Sequence, residues 1–282
     1  GCVPLDRGGW RVIRIEWIRQ TRRIRTWACF AGLAAVPIIF SIAAYVDPPR
    51  ERRELNVFTL LTASGLNLAI VALFFMSQFF LVVVVAAFGG ESVSGEATWG
   101  TLRYLLVRPV SRTRLILSKI FVAYVLAIIS VLVILVAGLV AGTIAFGWHD
   151  ALIIDRGFLF PLPVPVAAMD MLWRLVFGGA YVALTMLTVV CIGVFLSTLT
   201  DSTAAAVVGT VVSVVTSNVL GALPGLRSIK PFLPTRYWDE WHNLYATTTL
   251  QDMWKGVAST LIWSTLITLI ALWRFRRKDI LS

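Results

Sequence analysis

The residues of this 282-residue chain that could perform acid–base, nucleophilic or metal chemistry are few and far apart. The chain has two histidines, His149 and His242, and a small serine motif at positions 92–95. The span assignment given below puts Ser94 on the opposite side of a membrane from both histidines, so a Ser–His pair could not exchange a proton. The three cysteines have no metal-ligand spacing, and no GxxxxGK[ST] phosphate-binding loop occurs. The chain is therefore predicted not to be an enzyme and to hold no metal.

Composition excludes most soluble classes of protein. Hydrophobic residues make up 58% of the chain and charged residues 14%, against about 25% charged in an ordinary soluble domain. The mean hydropathy is +0.83. So few charges cannot cover a soluble surface, which excludes a soluble enzyme, a disordered tail and a basic nucleic-acid-binding domain. The net charge of +10 therefore needs a membrane explanation, and no nucleic-acid partner is expected.

Six segments free of Asp, Glu, Lys and Arg contain the roughly 20 apolar residues that a membrane-crossing helix needs. They are 26–46, a part of 55–90, 120–149, 175–200, 202–226 and 256–273. The predicted fold is an all-α polytopic membrane protein with six transmembrane helices. Its membrane domain is expected over 27–273, with a cytoplasmic tail over 274–282.

The distribution of basic residues predicts the orientation. With both termini on one side, that side holds 16 of the 25 Lys and Arg residues but only six of the 15 acids. Because cytoplasmic segments carry the excess of Lys and Arg, both termini are predicted to be cytoplasmic. A multi-pass protein of the bacterial cytoplasmic membrane is the expected location.

The N-terminal segment 1–26 is predicted to be a basic amphipathic helix lying at the membrane interface. Its apolar residues form one stripe along the helix, and its arginines lie on the other faces, where they could reach anionic lipid. The alternative is a positive flank that only sets topology. The apolar residues of the stripe, which runs on into the first span, are Trp10, Ile13, Trp17, Ile24 and Trp27.

The predicted cytoplasmic loop 91–119 contains a short two-faced helix over 96–106. Trp99, Leu102 and Leu106 share one face, and Pro109 ends the helix because proline lacks an N–H. Such a helix could bind in a groove of a soluble partner, or the loop could be an ordinary positive-inside connection. Its residues follow the pattern Glu96-xxx-Gly100-Thr101-xxx-Leu105-Leu106-xx-Pro109-Val110-Ser111-Arg112-xx-Leu115-xxx-Lys119.

This pattern resembles the loop between the second and third spans of ABC-2 type permeases, the membrane subunits of a class of ATP-binding cassette exporters. The resemblance implies that 91–119 is a coupling loop that docks on a cytoplasmic ABC ATPase, present in two copies, which binds ATP and Mg. It also implies a second permease protomer, expected as a homodimer, and no cofactor on this chain. The residues expected to couple to the ATPase are Glu96, Gly100, Thr101, Arg103 and Arg112.

In this family, spans two and five of two protomers line the route. Here those spans are apolar and aromatic with a few amides and hydroxyls, which favours a hydrophobic or amphipathic cargo such as a drug-like molecule or a lipid. Membrane hydroxyls often bond only to backbone carbonyls, so packing is the alternative role. The predicted lining residues are Asn67, Gln78, Thr210, Ser213, Ser217 and Asn218. The spacing Gly138-xxx-Gly142 predicts close packing of helices within the chain.

The segment 223–254 is too charged to cross the membrane and too aromatic for a free loop, so it is predicted to lie at the interface. The resemblance implies that this region partly re-enters the membrane as an outer gate. Its gate residues would be Tyr237, Trp238 and Trp241.

The sequence thus predicts the permease subunit of an ABC-2 type exporter working by alternating access. Two alternatives remain. One is a permease-like protein serving copper-enzyme maturation, which the lack of a His, Cys or Met cluster disfavours. The other is a membrane protein that assembles or signals with an ATPase without moving a solute.

Overall fold

A computed structural model describes residues 7–46, 60–98, 112–156, 161–226, 228–245 and 253–277. Eight α-helices, one β-hairpin and three short 3-10 helices lie in these ranges. The α-helices are α1 (Arg7–Thr21), α2 (Ile24–Val46), α3 (Gly65–Gln78), α4 (Phe80–Thr98), α5 (Arg112–Phe146), α6 (Ala168–Leu199), α7 (Thr203–Ala222) and α8 (Met253–Arg277). The 3-10 helices are Pro224–Leu226, Lys230–Phe232 and Trp238–Tyr245.

Five of these helices, α2 and α5 to α8, are long and apolar enough to cross a membrane. The pair α3 and α4 also passes this test together but is bent by 52°, which gives up to six spans. The bend lies at Phe79, whose backbone (φ −143°, ψ −57°) is not helical. The protein is therefore a helical, polytopic membrane protein, and the six predicted segments each coincide with one of these helices or with the bent pair.

An antiparallel hairpin between α5 and α6 was not expected from the sequence. Strands β1 (Ala151–Arg156) and β2 (Pro161–Val166) pair with Ala151 opposite Val166. The prolines of β2 alternate along the strand at 161, 163 and 165. Proline cannot donate to a ladder, and a two-stranded hairpin tolerates it because each strand has a free edge.

The N-terminal helix differs from its prediction. One stripe was expected to continue through Trp27, but α1 ends at Thr21 and a new helix begins at Ile24. Ile13 and Trp17 pack on the core, whereas Trp27 on α2 is 64% exposed. The chain turns at 22–23, where Arg23 meets an acidic residue of α4, so the stripe is divided between two helices. An interfacial position for α1 stays a prediction.

Small residues allow the closest helix contacts. A Cβ on Gly142 would lie 2.5 Å from the carbonyl oxygen of Gly65, and one on Gly138 would lie 2.9 Å from the Cα of Ala69. These glycines pack α5 directly on α3, within one chain as predicted. Gly193 of α6 similarly contacts the backbone of Gly89 and Gly90 in α4.

The bundle has two distinct ends. At the first, called the α1 end, α1 packs beside the last turns of α4 and the first turns of α5. At the second, called the hairpin end, the hairpin and the Trp238–Tyr245 segment lie against the beginning of α6. The main core fills the space between α4, α5 and α6.

Candidate functional site

A buried ion pair joins three helices at the α1 end. Lys119 of α5 is 1% exposed and Glu16 of α1 is 6% exposed. The Lys119 Nζ lies 3.3 Å from each carboxylate oxygen of Glu16 and donates to the carbonyl oxygen of Ser92 in α4 at 2.6 Å. An ammonium group has three N–H donors, so these three oxygens can satisfy all of them. This arrangement ties α1, α4 and α5 together.

A second ionic contact lies next to the first. Glu91 of α4 accepts hydrogen bonds from Arg23 at 2.8 Å and from Arg25 at 3.0 Å. Arg23 lies in the turn after α1, and Arg25 lies in the first turn of α2. We call the group Glu16, Lys119, Glu91, Arg23 and Arg25 the ionic clamp, because it holds the N-terminal segment to α4 and α5.

The ionic clamp includes a residue from each of the two helices that join the predicted coupling loop, α4 and α5. Glu91 is on the helix that leads into 99–111, and Lys119 is on the helix that leads out. Glu96 lies in the last turn of α4, continuous with the second span, and Arg112 is the first residue of α5. Gly100, Thr101 and Arg103 lie outside the described residues, as do the side chains of Glu96 and Arg112. Their coupling roles stay predictions.

Serine side chains also join α4 to α6 near the clamp. The Ser197 Oγ accepts hydrogen bonds from the backbone N–H groups of Val93 at 3.0 Å and Ser94 at 2.7 Å. The Ser94 hydroxyl donates to the carbonyl oxygen of Gly90 at 2.6 Å. Ser94 therefore takes part in helix packing, at the end of the bundle opposite His149 and His242.

A polar recess opens where the α3–α4 span bends. Its enclosed part has a volume of about 20 Å³, which is room for one water-sized group, and the rest is open to the outside. Ser77 and Gln78 line it from the end of α3, and Thr185 lines it from α6. Asn218 of α7 and the Trp238–Tyr245 segment complete the wall, the latter through Trp238, Asp239 and Trp241. We refer to this space as the recess.

Hydrogen bonds to neighbouring residues hold several of the polar side chains of the recess. The Gln78 Nε2 donates to the Asp239 Oδ1 at 2.9 Å. The hydroxyls of Ser77 and Thr185 donate to carbonyl oxygens of their own helices, at 3.1 and 2.8 Å. Trp238 is 8% exposed, and its indole Nε1 has no acceptor among the described residues. The Nε1 atom itself is fully enclosed by neighbouring residues, so no ligand oxygen reaches it in this arrangement.

The Trp238–Tyr245 segment is anchored to α6 along its length. The Tyr181 hydroxyl donates to the carbonyl of Tyr237 at 2.6 Å, and Arg174 donates to the carbonyl of Leu244 at 2.7 Å. The Tyr245 hydroxyl donates to the carbonyl of Arg174 at 3.1 Å. Burial raises the pKa of the Tyr245 phenol, and nearby Arg174 opposes this shift in part, so the phenol remains a donor.

These contacts carry the segment deep along the bundle. From Ala168 to Met186, which lines the recess, α6 rises by about 27 Å at 1.5 Å per residue. Just before the segment, Thr235 bonds to α7, where its hydroxyl oxygen lies 2.8 Å from that of Ser217. The segment and the residues before it therefore pack against both α6 and α7.

The predicted lining and gate residues divide into two groups. Gln78, Asn218, Trp238 and Trp241 meet at the recess, and Tyr237 and Ser217 anchor its wall. Three other predicted residues lie elsewhere.

Asn67 is 3% exposed, and its amide exchanges two hydrogen bonds with the backbone of Leu152 in the hairpin. Thr210 is fully buried and donates to the carbonyl of Ala206. Ser213 is exposed on α7 and donates to Gly209.

Several site residues were not found from the sequence. Glu16 carried a signal, because it follows Ile13 by three residues and precedes Gln20 by four, on the face that packs inward. Lys119 was noted only as part of the loop pattern. Asp239 carried the weaker signal of a carboxylate beside Trp238 in an aromatic segment. Thr185 gave no sequence signal, since one hydroxyl in an apolar helix is ordinary.

The chain is a helical polytopic membrane protein. Its bundle has polar groups at two places, the ionic clamp at the α1 end and the recess at the bend of the α3–α4 pair. Residues 39–281 match the sequence model of a family described as "Protein of unknown function (DUF2705)". The match covers most of the chain, and the chain belongs to this family. No curated protein matches the chain.

Proposed function

We propose that this chain is the membrane-spanning permease subunit of an ABC-2 type ATP-driven exporter. A second permease protomer, expected to be identical, would complete the route, and two copies of a cytoplasmic ABC ATPase with ATP and Mg would supply the energy. The protein would lie in the bacterial cytoplasmic membrane with both termini inside. Its cargo would be a hydrophobic or amphipathic molecule.

The ionic clamp is the observation that carries this proposal. A coupling loop can transmit the movement of the ATPase only if the helices on either side of it move with it. A flexible connection would absorb that movement. The helices on both sides of 99–111 are tied by ion pairs to α1 or to the residues directly after it, and the Lys119–Glu16 pair is almost fully buried. Movement of the loop would therefore shift α1, α4 and α5 as one body.

The second span offers a way to use that movement. Helix α4 runs from the clamp to Phe79, where the 52° bend meets the recess. A change in the tilt of α4 would alter the Gln78–Asp239 contact and hence the wall formed by 238–245. In alternating access, ATP can shift the bundle from one conformational state to the other only by the difference between its binding energies to the two states.

Purification of the tagged chain from its native membrane, followed by mass spectrometry, tests the assembly. A P-loop ATPase at equal stoichiometry is the expected result. If cross-linked preparations contain no ATPase, the export proposal is wrong. Cargo-stimulated ATP hydrolysis and ATP-dependent uptake into inside-out vesicles would separate an exporter from an assembly or signalling protein.

The variant Glu96→Arg should uncouple ATP hydrolysis from transport, because it replaces an acidic group of the proposed docking helix with a basic one. We expect vesicle transport to fall about tenfold or more while the permease remains folded. Asp170→Arg is the matched control, since it reverses a charge on the exposed start of α6 at the hairpin end. Normal transport by Glu96→Arg would remove Glu96 from the coupling mechanism.

A further inference from the structure

The outward side of α1 combines exposed arginines with exposed isoleucines. The isoleucines, Ile15 and Ile18, are 54% and 38% exposed. The backbone N–H of Arg22 donates to the carbonyl oxygen of Ile18 at 3.1 Å, so the helical spacing continues as far as Arg22. Exposed residues at these positions therefore share one side of the helix. We call this side the outer face of α1, and its residues are Arg14, Ile15, Ile18 and Arg22.

The outer face differs from the apolar stripe that the sequence predicted. Ile13 and Trp17 of that stripe pack on the core, and Glu16, the single acid of α1, turns inward to the ionic clamp. Neither Arg14 nor Arg22 has an acidic partner among the described residues. The outer face therefore carries positive charge that nothing on the described part of the chain balances.

The depth of α1 in the membrane follows from α5, the helix beside it. Arg114 of α5 is exposed, and on the same side of that helix Leu117 and Phe121 are 46% and 52% exposed. Because a charged group is costly in hydrocarbon, a helix that changes in this way passes from the headgroup region into the lipid core between these positions. Lys119, which holds Glu16, lies in that interval. The middle of α1 is therefore placed at the boundary between headgroups and hydrocarbon.

The α1 helix lies beside α5 and not beneath its end. Helix α5 begins at Arg112, well before Lys119, and so extends about 10 Å past the ion pair at 1.5 Å per residue. Because the side of α1 that carries Glu16 faces α5, the outer face points away from the bundle at the level of the headgroups. The start of α2 agrees with this level, since Trp27 is 64% exposed and its indole N–H donates to the carbonyl oxygen of Thr21 at 2.9 Å. Exposed tryptophan is typical of a membrane interface.

The two kinds of residue on the outer face match the two layers of a membrane surface. Isoleucine side chains gain free energy when they enter acyl chains, and basic residues beside them bind anionic headgroups. An arginine guanidinium donates in a fork to phosphate oxygens, while its apolar stem lies along the hydrocarbon boundary. The depth of the face favours lipid over an acidic soluble protein as its partner.

We propose that the outer face of α1 binds anionic phospholipid. Ile15 and Ile18 enter the acyl chains, and Arg14 and Arg22 bind the charged headgroups. Because the opposite side of the helix is held in the ionic clamp, bound lipid fixes α1 against α5 and so helps to hold the clamp. The proposal goes beyond the export function and does not depend on it.

Lipid retention by the full chain tests the charge preference. The detergent-purified chain is titrated with phosphatidylglycerol or with phosphatidylcholine of the same acyl chains, and bound lipid is counted by native mass spectrometry. Arg14→Gln/Arg22→Gln should lower the preference for phosphatidylglycerol about fivefold or more, the effect of at least one basic residue near an anionic surface. The matched control Lys230→Gln/Arg236→Gln removes two bases from the hairpin end and should keep the preference. An unchanged preference in the first variant, or an equal loss in both, would overturn the proposal.

A fluorescent probe tests the insertion of the isoleucines. With Cys2, Cys29 and Cys191 replaced, Ile18→Cys is labelled with the polarity-sensitive dye NBD, and the chain is placed in nanodiscs that contain phosphatidylglycerol. The emission should shift to the blue, and lipid with a nitroxide near the start of its acyl chain should quench it more strongly than aqueous iodide does. Stronger quenching by iodide would leave the face open to water and to a protein partner, and the lipid proposal would be wrong.

The two measurements are independent of each other and of the export function. The probe experiment keeps both arginines of the outer face, so it still decides if the double arginine variant does not fold. Because neither assay contains an ATPase, absence of an ATPase partner would overturn the export function without affecting the lipid result.

Discussion

Lys119 shows how strongly one residue depends on its partners. A lysine side chain that is 1% exposed would be expelled from a bundle core unless its charge were matched. Here a carboxylate from α1 and a carbonyl from α4 surround the ammonium group. The energetic value of such a pair lies less in its attraction than in the penalty for losing one partner.

Replacing Lys119 with Met should therefore destabilise the protein by about 3 kcal/mol, because the Glu16 carboxylate would remain buried without its counter-charge. The double variant Lys119→Met/Glu16→Gln should recover most of this loss, since neither charge remains. Reversible unfolding in mixed detergent micelles measures both. Equal stability of the single and double variants would contradict a buried, coupled pair.

At the scale of elements, the glycines of α5 decide how closely two helices approach. A side chain on Gly142 would meet the backbone of Gly65, which cannot rotate away. The α3 helix is in turn fixed at its start, because Ser64 caps it and also donates to the carbonyl of His149 at 2.9 Å. The position of the α3–α4 bend relative to α6 depends on this contact.

The substitution Gly142→Ala should lower the free energy of unfolding by about 1–3 kcal/mol through overpacking against α3. Gly32→Ala is the matched control, because Gly32 also lies inside a helix, α2, but a Cβ there meets nothing within 4 Å. That control should be neutral or stabilise by up to about 1 kcal/mol through better helix propensity. The same micelle unfolding assay compares the two, and equal effects would argue against a direct α3–α5 contact.

At the scale of the whole molecule, the two ends of the bundle differ in charge. The α1 end carries the arginine-rich first helix and the ionic clamp, whereas at the hairpin end the acids Asp170, Asp239 and Glu240 are offset by the bases Arg174, Lys230 and Arg236. This asymmetry follows the positive-inside rule if the α1 end is cytoplasmic.

Single cysteines can establish that orientation. With Cys2, Cys29 and Cys191 replaced, Arg14→Cys at the α1 end should react with an impermeant maleimide only after cells are permeabilised. Asp170→Cys at the hairpin end should react in intact spheroplasts. Both positions are exposed, so burial does not confound the comparison. The reverse pattern would place the termini outside and would contradict the proposed coupling to a cytoplasmic ATPase.

Much of the bundle could be predicted because the crossing of a membrane is a local property of the chain. An uninterrupted apolar stretch of sufficient length must become a helix in lipid, since its backbone groups have no other partners there. The segments 26–46 and 202–226 accordingly appear as α2 and α7, and Asp201 separates α6 from α7. The close packing of Gly138 and Gly142 was also predicted from their spacing.

The sequence by itself determined that this is a polytopic helical membrane protein, where its spans lie and which residues are small enough for close packing. Only the tertiary structure decided that Glu16 meets Lys119 across 103 positions and that Gln78 meets Asp239 across 161. It also decided that the second span bends at Phe79 and that the recess forms there. The physical reason is that hydropathy and helix spacing act between near neighbours in the chain, whereas the energy of an ion pair or a hydrogen bond depends on which distant segments the packed bundle brings within about 3 Å.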